Sequence, residues 1–112
     1  MARTPQNFAN TTQLGTSVGD IIAAVSSNTK AVVRKVSFFN TGASTRTVTV
    51  YVIASGGSAG TTNEFKIKAI PAGQSWNLIE IQGEVLSAGM KVQAKQDSGA
   101  DINVNTSGVD IT

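Results

Sequence analysis

The sequence lacks cysteine and histidine altogether, and it has few charged and few aromatic residues. Without cysteine there is no disulfide framework and no thiolate chemistry. Without histidine, the commonest general base and the commonest metal ligand are both missing. Charged residues make up 14% of the chain, against about 25% in a typical domain, and threonine, serine, asparagine and glycine fill the polar positions instead. These absences argue against most catalytic and metal-binding classes.

The charge balance and the hydropathy exclude two further classes of partner. A net charge of +2 is too small for a nucleic-acid-binding face, which needs a concentrated basic surface. No apolar run approaches the roughly 18 residues of a membrane span, and residues 1–8 lack the apolar centre of a signal peptide. We therefore expect no specific nucleic acid, no membrane, and synthesis in a cytoplasm. The length of 112 residues fits one domain with a core of its own.

Apolar and polar residues alternate along most of the chain, and this period of two is typical of strands with one buried face. Glycine, serine and asparagine cluster between the alternating runs, as they do in turns. The pattern predicts strands over residues 31–40, 45–54, 64–70, 74–81, 90–96 and 100–111, with a shorter candidate at 11–17. Residues 20–25 fit either a short strand or one helical turn. We therefore predict an all-β fold, a single antiparallel β-sandwich of seven to eight strands. A jelly-roll order and an immunoglobulin-like order both stay open.

The alternation also predicts which side chains are buried and where strands are interrupted. In the strand over 31–40 one face carries Val32, Val36 and Phe38, and in the strand over 64–70 the inward face carries Phe65, Ile67 and Ala69. The phase of the last strand changes after Val104, which predicts a β-bulge at Gly108. The segment 74–81 changes phase in the same way, and a bulge or a twist is expected there.

The first ten residues differ from the rest of the chain in composition and pattern: they are polar and show no hydrophobic periodicity. We predict an extended N-terminal arm over residues 1–10, followed by a β-sandwich domain over residues 11–112. Phe8 is the only large apolar group in the arm, so it is the natural anchor if the arm becomes ordered on a neighbouring subunit. Arg3, Pro5, Phe8 and Tyr51 are our candidates for a partner interface. An arm that stays disordered is the alternative.

The polar residues offer little chemistry. Glu80 and Glu84 flank a turn and could form a glycosidase-like carboxylate pair, but solvated turn charges explain them more simply. Asp97 and Asp101 bracket another turn, and a calcium loop there would lack its bidentate glutamate. The glycines of the loop over 55–60 are followed by neither the lysine nor the helix of a phosphate site. We predict no catalytic residues, no metal site and no cofactor, and hence not an enzyme.

Trp76 is the single tryptophan, and a buried position in the core is its simplest interpretation. A sugar-stacking platform is the alternative, and Tyr51 is the other aromatic residue that would serve it. Such a platform prefers several exposed rings, whereas aromatic residues make up only 5% of this chain.

Four motifs, in their order along the chain, resemble those of a known group of proteins. They are Thr29–Gly42 (TKAVVRKVSFFNTG), Thr47–Val52 (TVTVYV), Ile70–Gly73 (IPAG) and Ser107–Ile111 (SGVDI). In this order they resemble small β-sandwich virion proteins of tailed bacteriophages, which occur among head, neck, tail and fibre components. The resemblance extends over residues 14–112. The segment Ile22–Val25 departs from it, since an aromatic residue and a Val-Pro turn are more usual there.

The resemblance implies a structural role in the virion without catalytic residues to carry over. The expected protein is a capsid decoration or neck/tail accessory subunit that binds a larger lattice as a symmetric homo-oligomer, with a trimer as one arrangement. Its partners would be other virion proteins. A receptor- or glycan-binding domain of a tail fibre, reading host sugar through Tyr51, Trp76 and the loop over 55–63, is the alternative. A cell-wall hydrolase using Glu80 and Glu84 is a third, less favoured reading.

Overall fold

Two antiparallel β-sheets pack against each other in the computed structural model of the chain. The structure describes residues 3–112, and for residues 7 and 9–12 it describes the backbone alone. The predicted all-β sandwich is confirmed, and the described part of the chain has nine strands rather than seven or eight. The strands are β1 (Arg3–Gln13), β2 (Gly19–Ile22), β3 (Lys30–Asn40), β4 (Arg46–Ile53), β5 (Glu64–Ile70), β6 (Ser75–Asn77), β7 (Val85–Leu86), β8 (Lys91–Gln96) and β9 (Ile102–Ile111).

The strand order, which the sequence left open, places the first strand β1 next to the last strand β9. The five-stranded sheet has the order β1-β9-β3-β6, with β7 also pairing with β3, and the four-stranded sheet has the order β2-β8-β4-β5. Both sheets are antiparallel throughout. Strand β3 therefore lies in the middle of its sheet.

The core between the sheets is almost entirely aliphatic. β-branched side chains fit a pleated, half-buried surface well, and they dominate the contacts between the sheets. Phe38 is the largest fully buried side chain. Val48 and Val50 of β4 and Val92 and Ala94 of β8 are all buried in this core.

The predicted N-terminal arm is extended, but from Arg3 onward it belongs to the sheet. β1 pairs antiparallel with β9, from Arg3 opposite Ile111 to Gln13 opposite Asn103. One strand thus runs across the predicted boundary between residues 10 and 11, and the separate short strand expected over 11–17 does not form, since Leu14 already lies beyond β1. Residues 1 and 2 of the predicted arm lie outside the described residues.

The predicted bulge at Gly108 lies instead on the neighbouring strand, which corrects two sequence predictions. The register between β3 and β9 shifts between Val33 and Lys35, so that Arg34 is the extra residue. Val33 is therefore buried together with Val36, and Val32 turns to the outside. β9 keeps its alternation through Gly108, because its neighbours rather than β9 itself carry the irregularities.

Gly108 has a packing reason to be glycine. A Cβ atom built on it would lie 2.2 Å from the Val32 carbonyl oxygen and 2.5 Å from a ring carbon of Phe8. The Phe8 ring occupies this space and packs against the core. Phe8 therefore anchors β1 to its own sheet.

The predicted inward face of β5 is wrong for Ile67 and Ala69, whereas Phe65 is partly buried and packs against the core as expected. Ile67 is 54% exposed, and Ala69 is exposed as well. Lys66 and Lys68 pair with the buried residues Val50 and Val48 and so lie on the inner side of the sheet. β5 pairs only with β4, and at this edge long lysine side chains reach solvent past the core.

The bulged strand predicted over residues 74–81 is a short strand followed by a single 3₁₀ turn. β6 ends at Asn77, and the 3₁₀ turn covers Ile79–Ile81. The period of three in such a turn buries Leu78 and Ile81 and leaves Ile79 66% exposed. This turn explains why the apolar residues of the segment 74–81 change phase.

Candidate interaction surface

Apolar side chains cross four strands of the five-stranded sheet on its outer face. Val32 lies opposite both Val109 and Val85, and Val109 lies opposite Pro5. Residues directly opposite each other in a sheet share a face, so these four residues form one row, which we call the apolar row. Val85 is 49% exposed, Pro5 is exposed, and the other two are half-buried. The side chains of this row point away from the core, so packing between the two sheets does not explain why they are apolar.

Cationic residues flank the apolar row on both sides. The row before it consists of Arg3, Ile111 and Lys30, which lie opposite one another in β1, β9 and β3. The row after it contains Lys35 opposite Ser107. Arg3, Lys30 and Lys35 are all exposed. The outer face therefore has an apolar centre between two basic margins.

Local features of three strands build this surface. The extra residue Arg34 in β3 places Val32 and Lys35 on the same outer face. Phe8, held on the opposite face against Gly108, fixes β1 in place and with it Arg3 and Pro5. The position of the N-terminal residues at this surface therefore depends on a contact inside the sandwich.

The structure brings together two of the four residues predicted for a partner interface. Arg3 and Pro5 are on the outer face, whereas Phe8 points to the inner side of the same sheet. Tyr51 is in the other sheet and is only 5% exposed. Sequence reasoning missed Val32, Val85 and Val109. One signal in the sequence was available: Val109 and Ile111 alternate out of phase with Val104, so they lie on the opposite face of a regular strand.

The two aromatic residues of the alternative sugar site lie on different surfaces. Val50 and Val52 pack on the core, so Tyr51 between them points to the opposite face of the four-stranded sheet. Trp76 points inward and stacks on Phe38, with ring centroids 5.2 Å apart and an interplanar angle of 19°. The core position predicted for Trp76 is thus close to the structure, although its ring stays partly exposed.

A groove of about 530 Å³ runs beside Trp76, at the edge of the sandwich. Lys68, Gln74, Trp76 and Ile79 line it together with parts of the turn between β5 and β6. One aromatic edge and a few polar groups can contact a small polar ligand. Tyr51 does not take part.

Glu80, one of the two carboxylates of the hydrolase alternative, is held in an ion pair. Glu80 pairs with Lys66, with a nitrogen–oxygen distance of 3.0 Å. Its own backbone amide and, secondly, the Lys66 ammonium lower the pKa of Glu80 below its ordinary value. A lowered pKa suits a permanent anion and opposes the role of a general acid.

Asp97 and Asp101 hold strand ends together. Asp97 accepts hydrogen bonds from the backbone amides of Thr47 and Ser98, at 3.1 and 2.9 Å. Asp101 accepts one from the Arg46 guanidinium at 2.8 Å. Within residues 3–112 no group of three acidic residues is placed to hold a metal ion.

No protein-family model, curated protein or solved structure matches this chain. In the described part of the chain, no helix has the length and apolarity to cross a membrane. The function proposed below therefore stands on this chain's own residues and on their placement.

Proposed function

We propose that the protein is a non-enzymatic structural protein of a tailed-bacteriophage virion. The most concrete form of the proposal is a capsid decoration or neck/tail accessory subunit, bound to a larger lattice as a symmetric homo-oligomer such as a trimer. It would be made in the bacterial cytoplasm and end in the virion. Its partners would be other virion proteins, and it would need no cofactor, nucleic acid or membrane.

The outer face of the five-stranded sheet is the observation that carries this proposal. An apolar row that includes Pro5, between basic margins that include Arg3, is a surface suited to lasting contact with another protein. A particle component needs such repeated contacts more than it needs chemistry. The four motifs in their order add the virion context.

The carboxylates support a role without catalysis. Asp97 and Asp101 make hydrogen bonds between neighbouring strand ends, and Glu80 is paired with Lys66. Carboxylates that are engaged in such contacts are less available as general acids or bases. A hydrolase based on Glu80 and Glu84 is therefore the weaker proposal.

Copy number in purified particles tests the proposed function. Quantitative mass spectrometry of particles from the phage that encodes this chain should find it in tens to hundreds of copies per particle, scaling with the symmetry of its lattice. Complete absence from mature particles would refute the proposal. A handful of copies would favour the fibre alternative.

A receptor- or glycan-binding domain of a tail fibre is the second candidate, and the groove beside Trp76 favours it. Trp76→Ala should then abolish cell attachment and glycan-array binding while the domain stays folded. Ile67→Ala is the control, because Ile67 is a large apolar side chain that is 54% exposed, lies in the four-stranded sheet and does not line the groove. Equal attachment by both variants would reject this candidate.

A further inference from the structure

We propose that the outer face of the five-stranded sheet docks onto an acidic protein surface with an apolar centre. This inference rests on the proposed function for the identity of the partner, the virion protein that forms the underlying lattice. The contact chemistry itself is inferred from the three rows on this face.

The area of the three rows is smaller than the area that a stable protein–protein interface buries. Four strands spaced about 4.8 Å apart and three alternate residue rows cover about 200 Å². A stable interface buries about 800 Å² per partner. The apolar row therefore forms the centre of a larger contact, and the lysine and arginine side chains belong to its surrounding rim.

The charge of the face selects the partner. Arg3 and Lys30 lie on one side of the apolar row, and Lys35 lies on the other. No carboxylate occurs in the three described rows. The ion pairs found among the described residues, Arg46–Asp101 and Lys66–Glu80, do not involve these cations. An acidic margin on the partner would complement them, and electrostatic complementarity sets specificity and association rate.

A second copy of this chain fits the same face poorly. In a face-to-face dimer about a two-fold axis that runs along or across the strands, each basic row would lie over a basic row of the other copy. Like charges across an interface are unfavourable. The homo-oligomer of the proposed function would therefore use another surface.

Incorporation of charge-reversed variants into particles tests the contact. The double variant Lys30→Glu/Lys35→Glu, supplied from a plasmid to a phage that lacks the gene, should enter particles at least tenfold less than the wild-type chain. The matched control is Lys91→Glu/Lys95→Glu, because it changes the charge equally on β8 of the other sheet. Circular dichroism melting of both proteins establishes that they are folded.

Salt dependence gives a second measurement on the same particles. Wild-type protein should dissociate more readily as NaCl rises from 50 to 500 mM, since salt screens charge pairs. The milder variant Lys30→Gln/Lys35→Gln should show weaker binding and a smaller salt dependence. If the Lys30→Gln/Lys35→Gln variant showed the same salt dependence as the wild type, the charge argument would be overturned. This test remains decisive even if the charge-reversed protein misfolds.

The apolar centre is tested by two substitutions that each replace an exposed β-branched apolar side chain by threonine. Val85→Thr should reduce incorporation at least threefold, whereas Ile67→Thr should leave it unchanged. The two side chains are 49% and 54% exposed, but Ile67 lies in the four-stranded sheet. Equal effects of the two substitutions would overturn the assignment of this face.

The outcomes separate the inference from the proposed function. If wild-type protein is absent from particles, the proposed function fails. If it is present and both sets of variants enter equally, the function stands and the inference is overturned. Self-association in sedimentation velocity that Val85→Thr abolishes, or binding to phosphatidylglycerol vesicles that Lys30→Glu/Lys35→Glu abolishes, would assign the face to a second copy or to a lipid surface and would also overturn it.

Discussion

Asn40→Ala is expected to destabilise the fold by about 3 kcal/mol. The Asn40 side chain is fully buried at the end of β3 and makes three hydrogen bonds to the backbone. It donates to the carbonyl oxygens of Ser44 and Ile70, at 2.7 and 2.9 Å, and accepts from the amide of Gly42 at 2.9 Å. One side chain thus ties the turn after β3 to the end of β5.

The magnitude follows from what alanine leaves behind. Each lost hydrogen bond costs about 1 kcal/mol, and a backbone group left buried without a partner costs about 1–3 kcal/mol. Ile70 is buried, whereas Ser44 is exposed and can bond to water. For 112 residues the unfolding entropy is about 0.24 kcal/mol/K, so about 3 kcal/mol lowers Tm by about 12 °C.

Urea unfolding followed by circular dichroism, at a single protein concentration, measures this change. Asn77→Ala is the matched control, since Asn77 is exposed on β6 of the same sheet, and it should change the free energy of unfolding by less than about 0.5 kcal/mol. If Asn40→Ala cost no more than the control, the reasoning from buried hydrogen bonds would be refuted.

Three further substitutions test other parts of the structure. Gly108→Ala should destabilise by about 1–3 kcal/mol in urea unfolding because its Cβ would overlap the Val32 carbonyl, whereas Gly19→Ala, with open space around it, should not destabilise. In an NMR titration of the wild type, the Glu80 pKa should lie below its ordinary value, and Lys66→Met should raise it only in part because the backbone amide is the larger cause. Since that pKa is lowered on folding, Glu80 stabilises the fold above its unfolded-state pKa and loses this contribution as pH falls through the folded value. If Lys66→Met left the loss of unfolding free energy at acidic pH unchanged, this account would be contradicted. Asn28→Ala should cost about 1 kcal/mol because φ is 59° there, and Asn28→Gly should cost less; equal costs in thermal melts would reject a backbone cause.

Alternation in the sequence predicted the fold class and most strand positions because a buried face leaves a period of two in every strand. It failed where that period is interrupted by one residue. The extra residue Arg34 exchanged the faces of Val32 and Val33, and no residue type in that segment marks a bulge. In β5 the lysines lie on the inner side because the strand is at an edge, which depends on the order of strands.

The candidate surface was predictable only in part. Arg3 and Pro5 were among the candidates because the N-terminal residues differ in composition from the rest. Val32, Val85 and Val109 are far apart in the chain, and only the pairing of β7, β3 and β9 places them in one row. A row across strands leaves no local pattern in the sequence.

The antiparallel pairing of β1 with β9 has a mechanical consequence. Arg3 lies opposite Ile111, so a force that separates these two residues acts on the backbone hydrogen bonds between the strands one after another, as in the opening of a zipper. A force along parallel neighbours would instead load all of those bonds together. Tension between the ends of the domain would peel away β1 at low force, and β9 would remain held by β3. Arg3 and Pro5 would be the first residues to leave the outer face, so a contact made there would be sensitive to mechanical load.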